Sequence, residues 1–237
     1  MDEPNASEAD LDASLRFIRG VNRRLGGSAT LVRCLEAWSV RWPKGERIEV
    51  LDLGTGSADI PVAIVRWARR RGLDVRVTGV DLHPVTLGLG RRHVIQELGE
   101  QTLTKGGPIE LVEADAFGLV DRFGVGSFDY VHAGMFLHHL PEIRVLTLLA
   151  IMDRLARRGV VWNDLVRSRV ARVAIHALTM RAAPMVKHDA RVSVEAGFTP
   201  REARDLCARA GVGYADVRWS FWQQRFTAAG EHPGAWA

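Results

Sequence analysis

From Arg47 onward the chain alternates short apolar runs with amphipathic stretches: IEVLDLG, PVAIVRWARRRG, VRVTGVDL, the segment from Pro84 to Leu98, IELVEADAF, FDYVHAG, a stretch around Ile143 to Leu155, and GVVWNDLV. The apolar runs are nearly continuous rather than alternating with polar positions, so they predict strands covered on both faces. Strands of this kind separated by helices specify a parallel sheet with a helical layer on each side, an α/β fold.

The flanks of this pattern read differently. Between Leu11 and Trp42 the residues Leu15, Ile18, Leu25, Leu31, Leu35 and Trp38 fall at helical spacing, interrupted at Gly26-Gly27, which predicts two N-terminal helices within 11–45. The polar first ten residues are expected to be a disordered tail. Arg167 to Arg181 is helical and apolar on one face, with Pro184 closing it, so 166–190 is a candidate lid. After Phe198, Thr199 as N-cap, Pro200 at the first helical position and Glu202 close behind open a helix that Gly211 ends. ADVRWSFW and QQRFTAA then read as two tightly joined strands that add an antiparallel edge. At 237 residues the chain is expected to form one domain over 11–237.

Composition narrows the functions open to such a domain. No apolar run reaches the roughly 18 to 20 residues a membrane-spanning helix needs, and the acidic start MDEPNASEAD lacks the parts of a signal peptide, so a cytoplasmic location is expected. The net charge of +4 invites a nucleic-acid reading. Against it, the basic residues are nearly all arginine, with only Lys44, Lys105 and Lys187, and they are spread along helices whose other faces are apolar. Nucleic acid is therefore not the expected partner. Cys34 and Cys207 stand far apart with no CxxC or Cys/His cluster, so neither a disulfide nor a metal site is expected.

Asp52-Leu53-Gly54-Thr55-Gly56-Ser57-Ala58-Asp59 is a strand running into a glycine turn and a helix, where backbone can approach a ligand closely. A dinucleotide loop of the GxGxxG type would carry its third glycine where this chain has Asp59. A carboxylate there would oppose a pyrophosphate at the helix start. No GxxxxGK[ST] loop exists either. Asp52 and Asp59 suit a ligand with an ammonium group instead, such as S-adenosylmethionine. Asp81, at the end of the second strand, can accept two ribose hydroxyls, with Leu82 beside it. Asp115 and the Ala116 amide, at the end of the third, can hold an adenine.

These segments resemble the motifs of class I S-adenosylmethionine-dependent methyltransferases: LDLGTGSADIP the first, TGVDLHP the second, VEADAF the third and FDYVHAGMFLHHL the fourth. The resemblance covers about Arg47 to Leu165. It implies a Rossmann-like, doubly wound sheet of seven strands, the last antiparallel, with S-adenosylmethionine as cofactor and S-adenosylhomocysteine as product. It also implies that Asp52, Gly54, Thr55 and Gly56 shape the methionine pocket and that His132 opens the cofactor-facing loop after strand four. Ala58 departs from the pattern, standing where many members have a third glycine. HHLP at 138–141, NDLVRS at 163–168 and KHDARVSVEAGFTPREARDL from 187 are similar to a bacterial subgroup related to the ubiquinone and menaquinone methyltransferases, some of which accompany polyketide synthases and modify phenolic lipids.

Methyl transfer to a hydroxyl needs a base as well as alignment, and histidine suits that task near neutral pH. The candidates are His138, His139 and His188, the last beside Asp189; the His pair could equally cap a helix, and His188 could be a plain loop residue. Asn163 and Asp164 at the end of the fifth strand are candidates for an acceptor hydroxyl, or for helix capping. Val170, Val173, Ile175, Leu178 and Met180 could line an apolar acceptor pocket or pack as core. The expected function is methylation at oxygen or carbon of a small hydroxylated aromatic, quinone-like or polyketide acceptor. An RNA methyltransferase and a non-catalytic S-adenosylmethionine-binding protein are the alternatives, and a homo-oligomer is left open.

Overall fold

The computed structural model describes residues 8–24, 26–180 and 184–236. Five parallel strands, β1 (Arg47–Leu53), β2 (Asp74–Asp81), β3 (Ile109–Glu113), β4 (Phe128–Gly134) and β5 (Ala156–Leu165), are followed by an antiparallel pair, β6 (Asp216–Ser220) and β7 (Arg225–Glu231). Their order across the sheet is β3-β2-β1-β4-β5-β7-β6. The helices are α1 (Glu8–Arg24), α2 (Gly27–Ser39), α3 (Asp59–Arg71), α4 (Pro84–Leu98), α5 (Leu119–Phe123), α6 (Glu142–Leu155), α7 (Arg169–Thr179), α8 (Pro184–Ala196) and α9 (Pro200–Arg209). This is the seven-stranded, doubly wound architecture that the motif resemblance implies.

Successive strand residues point to opposite faces, so each strand feeds two cores. On one face Leu51, Val131 and Trp162 pack with Leu148 and Met152 of α6 and Leu206 of α9. On the other, Val50, Val77 and Val161 pack with Leu35 of α2 and Ile64 of α3. The chain turns outward in both directions from β1 and β4, its central parallel pair, which opens a crevice beyond their carboxyl ends. Thr199 and Glu202 form the reciprocal cap expected at the start of α9.

An aromatic clamp holds α2 on the sheet. Trp38 stacks on Tyr130 of β4 with ring centroids 5.0 Å apart. The Trp42 Nε1 group donates to the Tyr130 hydroxyl at 2.8 Å, and that hydroxyl donates to Glu231 Oε1 of β7 at 2.9 Å. Burial pushes the phenol up to about 12, so it remains a neutral relay between the two.

Two expectations need revision. Of the ten residues read as a disordered tail, Glu8–Asp10 begin α1, and residues 1–7 lie outside the described ones. Pro184 does not close the lid segment but opens a second helix there, α8; proline suits a first helical turn because no amide is needed at that position. Among the described residues no helix is long and apolar enough to cross a membrane. Cys34 and Cys207 are free thiols, and burial pushes both up, Cys207 to about 12.

Tyr130→Phe removes the hydroxyl that satisfies Trp42. Denaturant unfolding is expected to show a loss of about 1–3 kcal/mol at unchanged slope.

Candidate functional site

The glycine turn after β1 is held from below by Asp52, whose carboxylate accepts from Thr55 Oγ1 and His132 Nδ1, both at 2.7 Å. The Thr55 amide donates to Val80 O at 2.9 Å, which ties the turn to β2. Gly54 has φ +63, and a Cβ there would lie 2.8 Å from Phe136 Cγ, so a side chain would meet both strain and a clash. Ala58 adopts φ 57, a left-handed conformation that glycine would take without penalty. Here, then, the missing third glycine is replaced by a residue held in glycine's conformation.

Beyond the turn lies a cleft of about 640 Å³. Six of the residues predicted to meet the cofactor line it: Gly54, Gly56, Asp81, Leu82, Asp115 and Ala116. Asp81 is fixed by the amides of Gly56 and His83, each at 3.0 Å. Burial pushes its carboxyl up, and those two amides work against the shift. Asp115 uses one oxygen to cap the short turn at 116–118, accepting from Phe117 N at 3.0 Å. Leu11 and Leu15 of α1 roof the cleft, and Phe117 carries the Arg144 guanidinium 4.0 Å above its ring.

The other four predicted cofactor residues sit behind this surface. Asp52 and Thr55 brace the turn. His132 lies within β4 rather than opening the following loop, because pairing with β1 and β5 carries the strand on to Gly134; its imidazole is buried against Asp52. Asp59 accepts from Asn22 Nδ2 of α1 at 3.0 Å, and burial pushes its carboxyl up. Asn22 in turn accepts from Arg225 Nη2 of β7 at 2.9 Å. Burial lowers the Arg225 guanidinium to about 10. Through Asn22 the roof helix is therefore latched to the glycine-turn helix and to the last strand.

A second cavity, of about 350 Å³, adjoins the first and shares Met135 and His139 with it. Its walls are mostly apolar: Phe17, Ile18 and Val21 from α1, Ile175 from α7, Val186 and Val192 from α8. His138 lines it, in a single 3-10 turn after β4. His138 Nδ1 lies 2.6 Å from Asp164 Oδ1, and both side chains are buried. A carboxylate only accepts, so Nδ1 carries the proton and Nε2 keeps its lone pair in the neutral ring. Among the described residues no group satisfies that buried Nε2. Burial pushes the Asp164 carboxyl up, but attraction to the His138 ring in its protonated form and the hydrogen bonds from His138, Leu165 N and Trp162 Nε1 outweigh this and hold it below the ordinary value.

The other candidates fall at different depths. His139 is exposed at the junction of the two cavities, its ring 4.1 Å from that of His138. His188 is exposed on α8 at the cavity rim, and as sequential helix residues it and Asp189 point in different directions. Asn163 is buried, donating to Gly27 O at 3.3 Å, and neither it nor Asp164 lines the cavity. Asp164 can act on an acceptor only through His138. Among the five apolar residues of the lid segment Ile175 lines the cavity, while Val170, Val173, Leu178 and Met180 are exposed.

Met135 and Ser14 are among the lining residues that the sequence did not single out. Met135, at φ 55, is strained where the two cavities meet. Ser14 of α1 is 3% exposed, and its hydroxyl has no hydrogen-bond partner among the described residues. A methionine and a serine in a run of other residues carry no pattern that would single them out.

A sheet of this order, with a glycine turn at β1 and carboxylates at the ends of β2 and β3, defines the fold of class I S-adenosylmethionine-dependent methyltransferases. A family model described as a methyltransferase domain matches residues 50–159, and S-adenosylmethionine is the cofactor of that domain. The cleft fits this cofactor: it pairs carboxylates at two strand ends with the apolar Leu82 and Phe117. No curated protein matches the chain in sequence.

Similar solved structures include magnesium protoporphyrin IX methyltransferase (ChlM) from Synechocystis PCC 6803 with bound S-adenosylhomocysteine, at 14% identity and TM-score 0.59, covering 89% of this chain and 84% of that one. PigF with S-adenosylhomocysteine is similar at 18% identity and TM-score 0.61, covering 95% and 59%. A Nostoc punctiforme PCC 73102 protein assigned as an O-methyltransferase matches at 15% identity and TM-score 0.60, covering 86% and 55%. The chain thus spans little more than half the length of the last two.

Asp81→Ala removes the carboxylate that two backbone amides hold at the end of β2. Calorimetric titration with S-adenosylhomocysteine is expected to show affinity falling by about a hundredfold or more.

Proposed function

We propose that the protein transfers the methyl group of S-adenosylmethionine to a hydroxyl oxygen of an apolar, aromatic small molecule. The observation that carries this reading is the buried His138–Asp164 pair on the wall of an apolar cavity that adjoins the cofactor cleft. S-adenosylmethionine supplies a methyl group already activated on a sulfonium sulfur. Asp164 fixes the His138 ring and its tautomer. The Nε2 lone pair takes the hydroxyl proton as the acceptor oxygen bonds to the methyl carbon and the carbon–sulfur bond breaks. The His138 imidazolium that results is stabilised by the Asp164 carboxylate and returns its proton to solvent after release.

The apolar walls orient the acceptor ring and exclude water, which is most of what an in-line displacement requires. Their mostly apolar character favours an apolar ring over a phosphate backbone, which weighs against RNA. Bound acceptors named for similar structures agree with a small-molecule reading, since one of these, the plantazolicin methyltransferase BamL, was crystallised with a desmethyl analogue of its natural product.

The test is single-turnover transfer from labelled S-adenosylmethionine to a panel of alkylated and polycyclic phenols. His138→Gln and Asp164→Asn are expected to lower the rate by about 10²- to 10⁴-fold with S-adenosylhomocysteine affinity unchanged. His139→Ala and His188→Ala should stay within about tenfold, since both side chains are exposed at the cavity's edge. A His138→Gln enzyme that kept the full rate would remove the base from this reading.

A further inference from the structure

The outer side of α7 carries a stripe of exposed apolar residues. Ala171, Ile175 and Thr179, at i, i+4 and i+8, turn inward, with Ile175 on the acceptor cavity. Val170, Val173 and Met180 turn outward at 46%, 73% and 70% exposure. Exposed Arg169 and Arg172 run alongside that stripe. The tip between β6 and β7 continues the surface: Phe221 and Trp222 are 51% and 86% exposed with their rings 5.5 Å apart. The two parts are physically joined, because Ser168, the N-cap of α7, donates to Gln224 Oε1 at 2.5 Å, and Val166 N donates to Gln224 O at 2.9 Å.

We propose that α7 and the β6–β7 tip form a docking surface for an anionic lipid bilayer, with α7 lying in the plane of the interface. Charge selects this occupant. Between Leu165 and His188 the sequence has no Asp or Glu but five basic residues, Arg167, Arg169, Arg172, Arg181 and Lys187. An apolar stripe bordered by arginines fits acyl chains below and anionic headgroups beside it, and tryptophan favours that boundary. A second copy of the chain fits poorly, because a two-fold contact would set Arg169 and Arg172 against their own counterparts with no carboxylate on the segment to offset them.

Docking in this orientation places the acceptor cavity directly behind the membrane-facing helix. Its use, passage of an apolar acceptor from the bilayer without crossing water, rests on the function proposed above; the docking itself does not.

The experiment is flotation of the whole protein with vesicles of phosphatidylcholine alone and of phosphatidylcholine with phosphatidylglycerol. Binding is expected to the phosphatidylglycerol vesicles and to weaken with added salt. Val173→Glu and Trp222→Ala should each reduce it about tenfold or more, and Arg172→Gln about fivefold, with S-adenosylhomocysteine affinity unchanged in all three. No binding to the anionic vesicles overturns the proposal, as does binding that Val173→Glu and Trp222→Ala leave intact. So does a dimer in sedimentation equilibrium that Val173→Glu dissolves. None of these readouts needs an acceptor, so failure here and failure of the methyl-transfer reading are separately visible.

Discussion

The carboxylate of Asp52 is the constraint on which the cofactor site rests. It is buried at the end of the central strand, where an ionised group needs partners, and it takes them from both sides: Thr55 of the turn and His132 of the neighbouring strand. Because Thr55 is also bonded to β2, one buried group sets the path of the glycine turn relative to three strands at once. The positive φ values at Gly54 and Gly56 follow from that path, and so does the position of the Gly56 amide that steadies Asp81.

The same pairing of imidazole and carboxylate occurs twice, with opposite consequences. His132 and Asp52 belong to paired strands and are packed beneath the turn, where they brace it. His138 has left its strand. Its partner Asp164 sits at the end of β5, and the short turn after β4 swings the ring to the wall of a cavity. Among the described residues neither imidazole Nε2 has a partner, yet only the second belongs to a residue that lines a cavity. Location relative to the end of the sheet, not the chemistry of the pair, separates a brace from a candidate base.

Much of this was legible in the sequence because it depends on local pattern. Continuous apolar runs gave the strands, Thr199-Pro200 gave the start of α9, and the acids after β2 and β3 lie at the cleft where loops at strand ends must converge. What was not legible depends on parity and distance. Asn163 and Asp164 are adjacent, but a strand sends them to opposite faces, one to the Gly27 backbone and the other to His138. Ser14 and Ile18 share a cavity with His138 only because α1 folds back across the crevice, and no periodicity within α1 announces that placement. Nor does an apolar stripe on α7 reveal which side it faces; Ile175 and Val173 are two residues apart and point in different directions.

The latch through Asn22 ties α1 to β7, two elements far apart along the chain. Asn22 lies in the first described helix and Arg225 in the last strand, 203 residues further on. A growing chain can assemble the first five strands and the glycine turn well before β7 exists, and α1 is then held through Asn22 by Asp59 but not yet by Arg225. The Arg225 half of the latch is thus completed only when β7 is inserted, and a chain cut short before β7 would carry the motifs of the site with its roof helix bonded to α3 but not to the far edge of the sheet.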